Sequence, residues 1–313
     1  MDDCAALWWR LTDPGTDLIA VSTTSGAVDE KLAAVSVLKV LAAAGRLDIP
    51  VAIGEPGRFG PGPLLAPVPF IHGDDGQGNA GHPLPPDATA VDEGAVPLLR
   101  RLVDQRPGEI SVVGTAPFTN LGRVLAADSS WAGRVDELVV MGGSIAVGGN
   151  AQPAAEANVA GDPTAAALVV GAGWRRQPLL VGLDATYRAT LTGAEFELLA
   201  ERRTPAAAFL DVPLQFYRPF GATFTAPDCP CHDLLAVMAW ADPTLLDAPE
   251  LPLAVVTSEG PAWGATIADV RAPIFARVAG SRQAEPAGFS PWRVALSADV
   301  DRFRAGFRRL VGG

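Results

Sequence analysis

The sequence predicts an α/β fold, an open and mainly parallel sheet with helices on both faces. Three observations predict it. Short apolar runs of strand length alternate along the chain with longer stretches of helical periodicity. Gly and Pro cluster directly after the strand-length runs, where loops leave the C-terminal ends of parallel strands and where open α/β sheets place ligands. The 313 residues are 49% hydrophobic and only 19% charged, enough apolar material for a sizeable core and too little charge for a disordered chain.

The elements follow in order. A helical pattern begins at once, with Ala5, Ala6, Leu7, Trp8 and Leu11 behind the acidic pair Asp2-Asp3. Paired carboxylates suit the positive end of a helix dipole. Pro14-Gly15 supplies a turn. A strand over 18–22 ends in Thr23-Thr24-Ser25-Gly26, and a helix over 31–44 closes at Gly45. A second short strand occupies 50–53. The stretch 54–92 is rich in Gly and Pro with little periodicity, the mark of a functional loop or an insertion. A helix over 93–103, a strand over 110–113 and a helix over 118–127 come next. The β-rich run 137–141 stops at Gly142-Gly143; a helix over 163–170 and a strand over 178–183 complete the alternation. Residues 191–228 read as helical with a loop at the end, a possible cap segment, and 234–240 as an apolar helix. No linker-like composition marks a boundary, so 1–313 is expected to form one domain.

Charge narrows the function classes. The net charge is −11 and the isoelectric point near 4.7. Such a chain lacks the clustered Lys and Arg that bind nucleic-acid phosphates or an anionic membrane. A small neutral or weakly basic ligand remains compatible with this charge. The three cysteines, Cys4, Cys229 and Cys231, cannot build a disulfide framework at this length. No signal peptide and no apolar run of about 18–20 residues is found, so a cytoplasmic protein without a membrane span is expected.

Several clusters could carry chemistry. In Asp2-Asp3, one carboxylate could bind a metal and the other a ligand hydroxyl; simple helix-dipole pairing is the plain alternative. Gly114-Thr115-Ala116-Pro117-Phe118-Thr119-Asn120 links a strand to a helix, either as an ordinary helix start or as a turn that aims a backbone carbonyl into a site. Asn150, Glu156 and Asn158 follow Gly142-Gly143 in one loop and can hold hydroxyls, whereas Asp162-Pro163 looks like a structural cap. Cys229-Pro230-Cys231-His232-Asp233 raises the question of zinc, but the spacing is wrong for a paired site and no second Cys/His cluster exists. His232 can donate a proton near neutral pH, and Asp233 stands at a helix start. His72, in His72-Gly73-Asp74-Asp75-Gly76, either lines a ligand pocket or belongs to a solvated turn. Carboxylates and carbonyls are hard oxygen ligands; several together favour calcium.

These pieces, taken in order, resemble the inosine-uridine-preferring nucleoside hydrolase family. The resemblance rests on Asp2-Asp3 with its helix, Thr23-Thr24-Ser25-Gly26, His72-Gly73-Asp74-Asp75-Gly76, Pro117-Phe118-Thr119-Asn120 and Val140-Met141-Gly142-Gly143. It continues through Glu156-Ala157-Asn158, Asp162-Pro163, Leu183-Asp184-Ala185-Thr186, His232-Asp233 and Gly264-Ala265-Thr266. It implies a Rossmann-like fold and a calcium-dependent hydrolase, active in purine or pyrimidine salvage, that splits a ribonucleoside into ribose and free base. By resemblance, Asp3, the Thr119 carbonyl and Asp233 bind Ca2+. Asp2, Asn150, Glu156, Asn158 and Asp233 hold ribose hydroxyls, His72 lines the pocket, and His232 protonates the departing base. A homo-oligomer, dimer or tetramer, is also implied.

The sequence departs from the family at its beginning. The signature D-x-D-x-G-x-D-D keeps only its last two aspartates, at positions 2 and 3; the earlier pair and their strand are missing, and one of them is the family's general base. Thr12-Asp13-Pro14-Gly15-Thr16-Asp17 imitates the signature but would delete the first helix. The simplest expectation is a start codon placed too late. The chain as given should then have an apolar slot in its sheet and weakened cation affinity. Ala27 stands where the family often has a ribose-contacting Asn. Two other readings stay open: a nucleoside- or ribose-binding homologue without the base, and a hydrolase of another N-ribosyl compound.

Overall fold

The computed structural model describes residues 1–13, 15, 17–62, 66–271 and 287–312; Pro14 of the expected turn lies outside them. The chain opens with α1 (Asp2–Thr12), then β1 (Val21–Ser22), α2 (Glu30–Ala43), β2 (Val51–Ala52) and the short α3 (Pro69–His72). There follow α4 (Ala95–Gln105), β3 (Val112–Gly114), α5 (Thr119–Ala127), β4 (Leu138–Met141), α6 (Ala157–Gly161), α7 (Pro163–Val170), β5 (Leu179–Val181) and α8 (Leu183–Thr186). The second half holds β6 (Thr190–Leu191), α9 (Gly193–Glu201), α10 (Pro205–Thr225), β7 (Cys229–Pro230) and α11 (His232–Ala241). It ends with β8 (Leu246–Asp247), β9 (Glu250–Val255), β10 (Thr266–Ala268), β11 (Ser290–Val294), β12 (Ser297–Ala298) and a final helix, Val300–Leu310.

The main sheet runs β10-β9-β11-β5-β4-β3 among the described residues. The pairs β3–β4, β4–β5 and β5–β11 are parallel, while β9 is antiparallel to both β10 and β11. The predicted open, mainly parallel sheet is therefore observed, with an antiparallel margin that the periodicity did not announce. Alternation along β4 and β5 shows why helices cover both faces. Val139, Met141, Leu179 and Val181 join the core under α1, α8, α10 and α11. Leu138, Val140 and Leu180 point the other way, into the core under α5 and α7. Strands buried on both faces read as unbroken apolar runs, as these two do.

The helix caps follow from local chemistry. Asp29 accepts the N–H groups of Lys31 and Leu32 to start α2, and Asp162 accepts that of Ala165 to start α7, with Pro163 in the first turn. The expected cap segment 191–228 is two helices, α9 and α10. No described helix is long and apolar enough to cross a membrane.

The expected slot is also observed. The strand predicted over 18–22 is reduced to Val21–Ser22, and that over 50–53 to Val51–Ala52; among the described residues β1 pairs with β2 alone. Among the described residues β3 likewise pairs with β4 alone. The free edges of β1 and β3 line a single cavity of about 1740 Å³, walled by Ile19, Ala20 and Val21 on one side and Val112 and Val113 on the other. The cavity continues to the C-terminal ends of both strands, where Asn120 Nδ2 donates to the Thr23 carbonyl at 2.9 Å and ties the two rims together.

Candidate active site

Four segments meet at that rim. α1 and α11 pack against one another, which brings Asp2-Asp3 to His232-Asp233 across some 230 residues of sequence. Asp2 is buried, and its Oδ2 accepts the backbone N–H groups of His232 at 2.8 Å and Asp233 at 3.2 Å. It thus caps α11 from outside the helix and meets the positive end of its dipole. Asp3 is more open, and Thr115 Oγ1 at the end of β3 donates to its Oδ1 at 3.0 Å. Asp2, Asp3 and Asp233 each offer an oxygen within 4.8 Å of the others. The Met1 amino group stands 3.9 Å from Asp2 and 3.6 Å from Asp3.

The crowding of acids shows in their ionisation. Burial pushes the Asp233 carboxyl well up, and the charges of Asp2 and Asp3 push it further. Burial also acts upward on Asp2, but the amino terminus, the His232 ring and the Asp233 N–H outweigh it and hold that carboxyl below the usual range. Two buried carboxylates and one exposed one at this spacing fit a hard divalent cation, whose charge relieves their mutual repulsion. Thr119 opens α5 on the same cavity, but its hydroxyl turns away and donates to Asp162 at 2.9 Å. A Thr119 ligand would therefore have to be its carbonyl.

The loop after β4 contributes the polar wall. Gly143 has φ +77°, and a Cβ there would stand 2.9 Å from Thr266 Oγ1, so the turn needs glycine. Glu156 is buried and accepts N–H bonds from Gly143 at 2.9 Å, Asn158 at 2.8 Å and Val159 at 3.2 Å. Burial nevertheless raises its carboxyl to about 7. Asn150 Oδ1 accepts from the Ala157 N–H at 2.9 Å, which leaves its NH2 for a ligand. Asn158 donates its NH2 to the carbonyls of Thr115 and Met141, both at 3.2 Å, which leaves its oxygen as an acceptor. All three line the cavity. Asp162 does not; it accepts from Phe59, Gly60, Ala165 and Thr119, the structural role expected of it.

Opposite stands an aromatic wall. His72 stacks on Tyr217 at 6.2 Å, and Phe220 lies 5.4 Å from Phe224 and 6.3 Å from the exposed Phe70. Tyr187 stacks on Phe224 at 5.7 Å and tilts against His232 at 5.8 Å. Burial lowers the His72 ring to about 3, and the nearby amino terminus adds to this, so it is neutral at physiological pH. Burial likewise lowers His232, against the pull of Asp2 and Asp3. Its Nδ1 lies 2.7 Å from Thr186 Oγ1, which leaves Nε2 for the cavity.

Every site residue expected from the sequence (Asp2, Asp3, His72, Thr119, Asn150, Glu156, Asn158, His232 and Asp233) lines this one cavity. Sequence reasoning assigned no role to Thr115, Thr186 or the individual aromatic side chains of this wall. Tyr217, Phe220 and Phe224 recur at i, i+3 and i+7, a spacing that puts them on one helix face and could have marked it. The cysteines beside His232 are buried and free, and the acidic group contains neither of them.

Comparison with known proteins gives a consistent picture. The sequence profile of the inosine-uridine preferring nucleoside hydrolase family matches residues 1–305. The chain is 34% identical over 259 residues to the probable uridine nucleosidase 2 of Arabidopsis thaliana, covering 82% of this chain and 80% of that one. It is 32% identical over 278 residues to the inosine-uridine preferring nucleoside hydrolase of Leishmania major, covering 87% and 86%. Among solved structures it is similar to a plant nucleoside hydrolase (TM-score 0.90, 30% identity, covering 100% of this chain and 96% of that one). It is similar also to a purine-preferring ribonucleoside hydrolase from Gardnerella vaginalis (TM-score 0.85, 30% identity, covering 99% and 94%).

Proposed function

The chain belongs to the inosine-uridine preferring nucleoside hydrolase family, and on that premise we propose that it hydrolyses the N-glycosidic bond of a ribonucleoside, with calcium held by Asp3, Asp233 and the Thr119 carbonyl. The observation that carries this reading is the meeting of Asp2, Asp3 and Asp233 within 4.8 Å at the rim of the cavity that His232 lines. Bound there, the ion would supply positive charge and Lewis acidity for the attack of water.

The chain's own residues divide the remaining work. Asp2, Asn150, Glu156, Asn158 and Asp233 hold the ribose hydroxyls; the free NH2 of Asn150 and the free oxygen of Asn158 supply one donor and one acceptor. The bond from C1′ to the base nitrogen breaks with its electron pair going to the base. Positive charge then develops on the sugar, as in other glycosyl cleavages, and the surrounding carboxylates stabilise it. His232 gives its Nε2 proton to the departing base. The water oxygen bonds to C1′, and its proton goes to Asp3, the most open of the three aspartates. The aromatic wall of Phe70, Tyr217, Phe220 and Phe224 suits a flat heteroaromatic leaving group.

The test is release of base and reducing sugar from a panel of purine and pyrimidine ribonucleosides, with calcium and then with chelator. Base release that chelation abolishes is expected. No release from any nucleoside, with binding retained, would favour the reading as a binding homologue.

A further inference from the structure

We propose that Thr186 is a positioning residue for His232, its hydroxyl holding Nδ1 so that Nε2 faces the ligand cavity. The inference rests on the reading of His232 as the proton donor and adds the group that orients it.

Thr186 ends α8, directly after the central strand β5. It is fully buried, and its Oγ1 lies 2.7 Å from His232 Nδ1. A buried threonine in a helix commonly bonds back to its own turn. Here the Gly182 carbonyl already takes the Thr186 and Ala185 N–H groups, both at 3.1 Å, and the hydroxyl reaches across to α11 instead. α8 is itself pinned. Asp184 accepts the N–H groups of Ile145 at 2.7 Å and Ala146 at 2.8 Å, which fastens the helix to the loop after β4.

The histidine is therefore held at two points. Its backbone N–H is bound by Asp2 at 2.8 Å and its ring by Thr186. The ring of Tyr187 bounds a third side, at 5.8 Å and 60°. With Nδ1 engaged, Nε2 is the nitrogen left for chemistry. A hydroxyl suits this place because its oxygen accepts the Nδ1–H bond. It accepts from Nδ1–H while the ring carries two protons. After Nε2 has given its proton away, Nδ1 keeps its own and goes on donating to the same hydroxyl oxygen. The ring thus need not move during the reaction.

The experiment compares the whole chain with Thr186→Val, Thr186→Ser and His232→Ala on two substrates. One is a ribonucleoside, whose base must be protonated on leaving; the other is 4-nitrophenyl riboside, whose leaving group needs no proton. His232→Ala calibrates the pair, with a loss of about 10²–10⁴ expected on the nucleoside alone. Thr186→Val keeps the side-chain shape and should lose about tenfold or more in kcat on the nucleoside, part of the general-acid factor, with the riboside rate little changed. Thr186→Ser should restore the nucleoside rate. Two-bond 1H–15N spectra of the three histidines supply a readout apart from activity, and Thr186→Val should shift Nδ1 of His232 alone. Equal slowing on both substrates, failure of Ser to rescue, or an unmoved Nδ1 signal would overturn the proposal. If His232→Ala itself slows both substrates equally, the donor reading falls first and takes the positioning role with it; an unshifted Nδ1 signal overturns the Thr186 contact alone.

Discussion

Glu156→Gln should remove a pH dependence of stability that the wild-type chain carries. Burial raises the Glu156 carboxyl from 4.5 to about 7, although three backbone N–H groups donate to it. The folded chain thus binds this proton more readily than the unfolded chain does. Its contribution to stability is fully present below the unfolded value and is lost as pH rises through the folded one. The gap between 4.5 and about 7, at about 1.36 kcal/mol per pH unit, amounts to about 3 kcal/mol. Glutamine cannot titrate. Its NH2 must also face one of the three N–H donors, which costs about 1–3 kcal/mol at every pH. The offset is therefore uninformative and the slope decides. Chemical denaturation of both proteins from pH 4.5 to 8.5 should show the wild-type chain losing about 3 kcal/mol relative to the variant as pH rises. Parallel profiles would refute the assignment of a buried, proton-binding Glu156.

Three further predictions concern the same cavity. Calcium at a hundredfold excess over its Kd should stabilise the chain by about 2.7 kcal/mol, and Asp233→Asn should abolish the rise in Tm. Because Asp2, Asp3 and burial push the Asp233 carboxyl up, binding should also release a proton, seen as a buffer-dependent enthalpy in calorimetry; an enthalpy independent of buffer would contradict it. Phe224→Ala should raise KM for a nucleoside about 5- to 100-fold, the worth of one base–aromatic stack, while inhibition by free ribose stays unchanged.

The legible part of the fold was the part set locally. β4 and β5 announce themselves because strands buried on both faces must be apolar throughout. The starts of α2 and α7 are visible because Asp29 and Asp162 satisfy helix N–H groups within three residues of themselves. The antiparallel margin β9–β11 was not legible. Pro252 and Pro291 interrupt its strands, and its pairing brings residue 253 to residue 290, a separation that no periodicity encodes. The site behaved in the same way. Its residue types and order were readable through the family resemblance, whereas the parts that Thr115 and Thr186 play depend on contacts with Asp3 and His232, which come from distant segments.

By itself, then, the amino-acid order determined the alternation of strands and helices, the acidic character and the polar residues that follow the strand ends. These depend on side-chain sterics, capping and charge over a few positions. Tertiary structure alone decided that Asp2 and Asp3 share a rim with Asp233, that Thr186 holds the His232 ring, that Glu156 is buried deeply enough to bind a proton near neutrality, and that β1 and β3 face each other across a cavity. The reason is physical: proximity, dielectric environment and unpaired edges arise only when the helices close over the sheet.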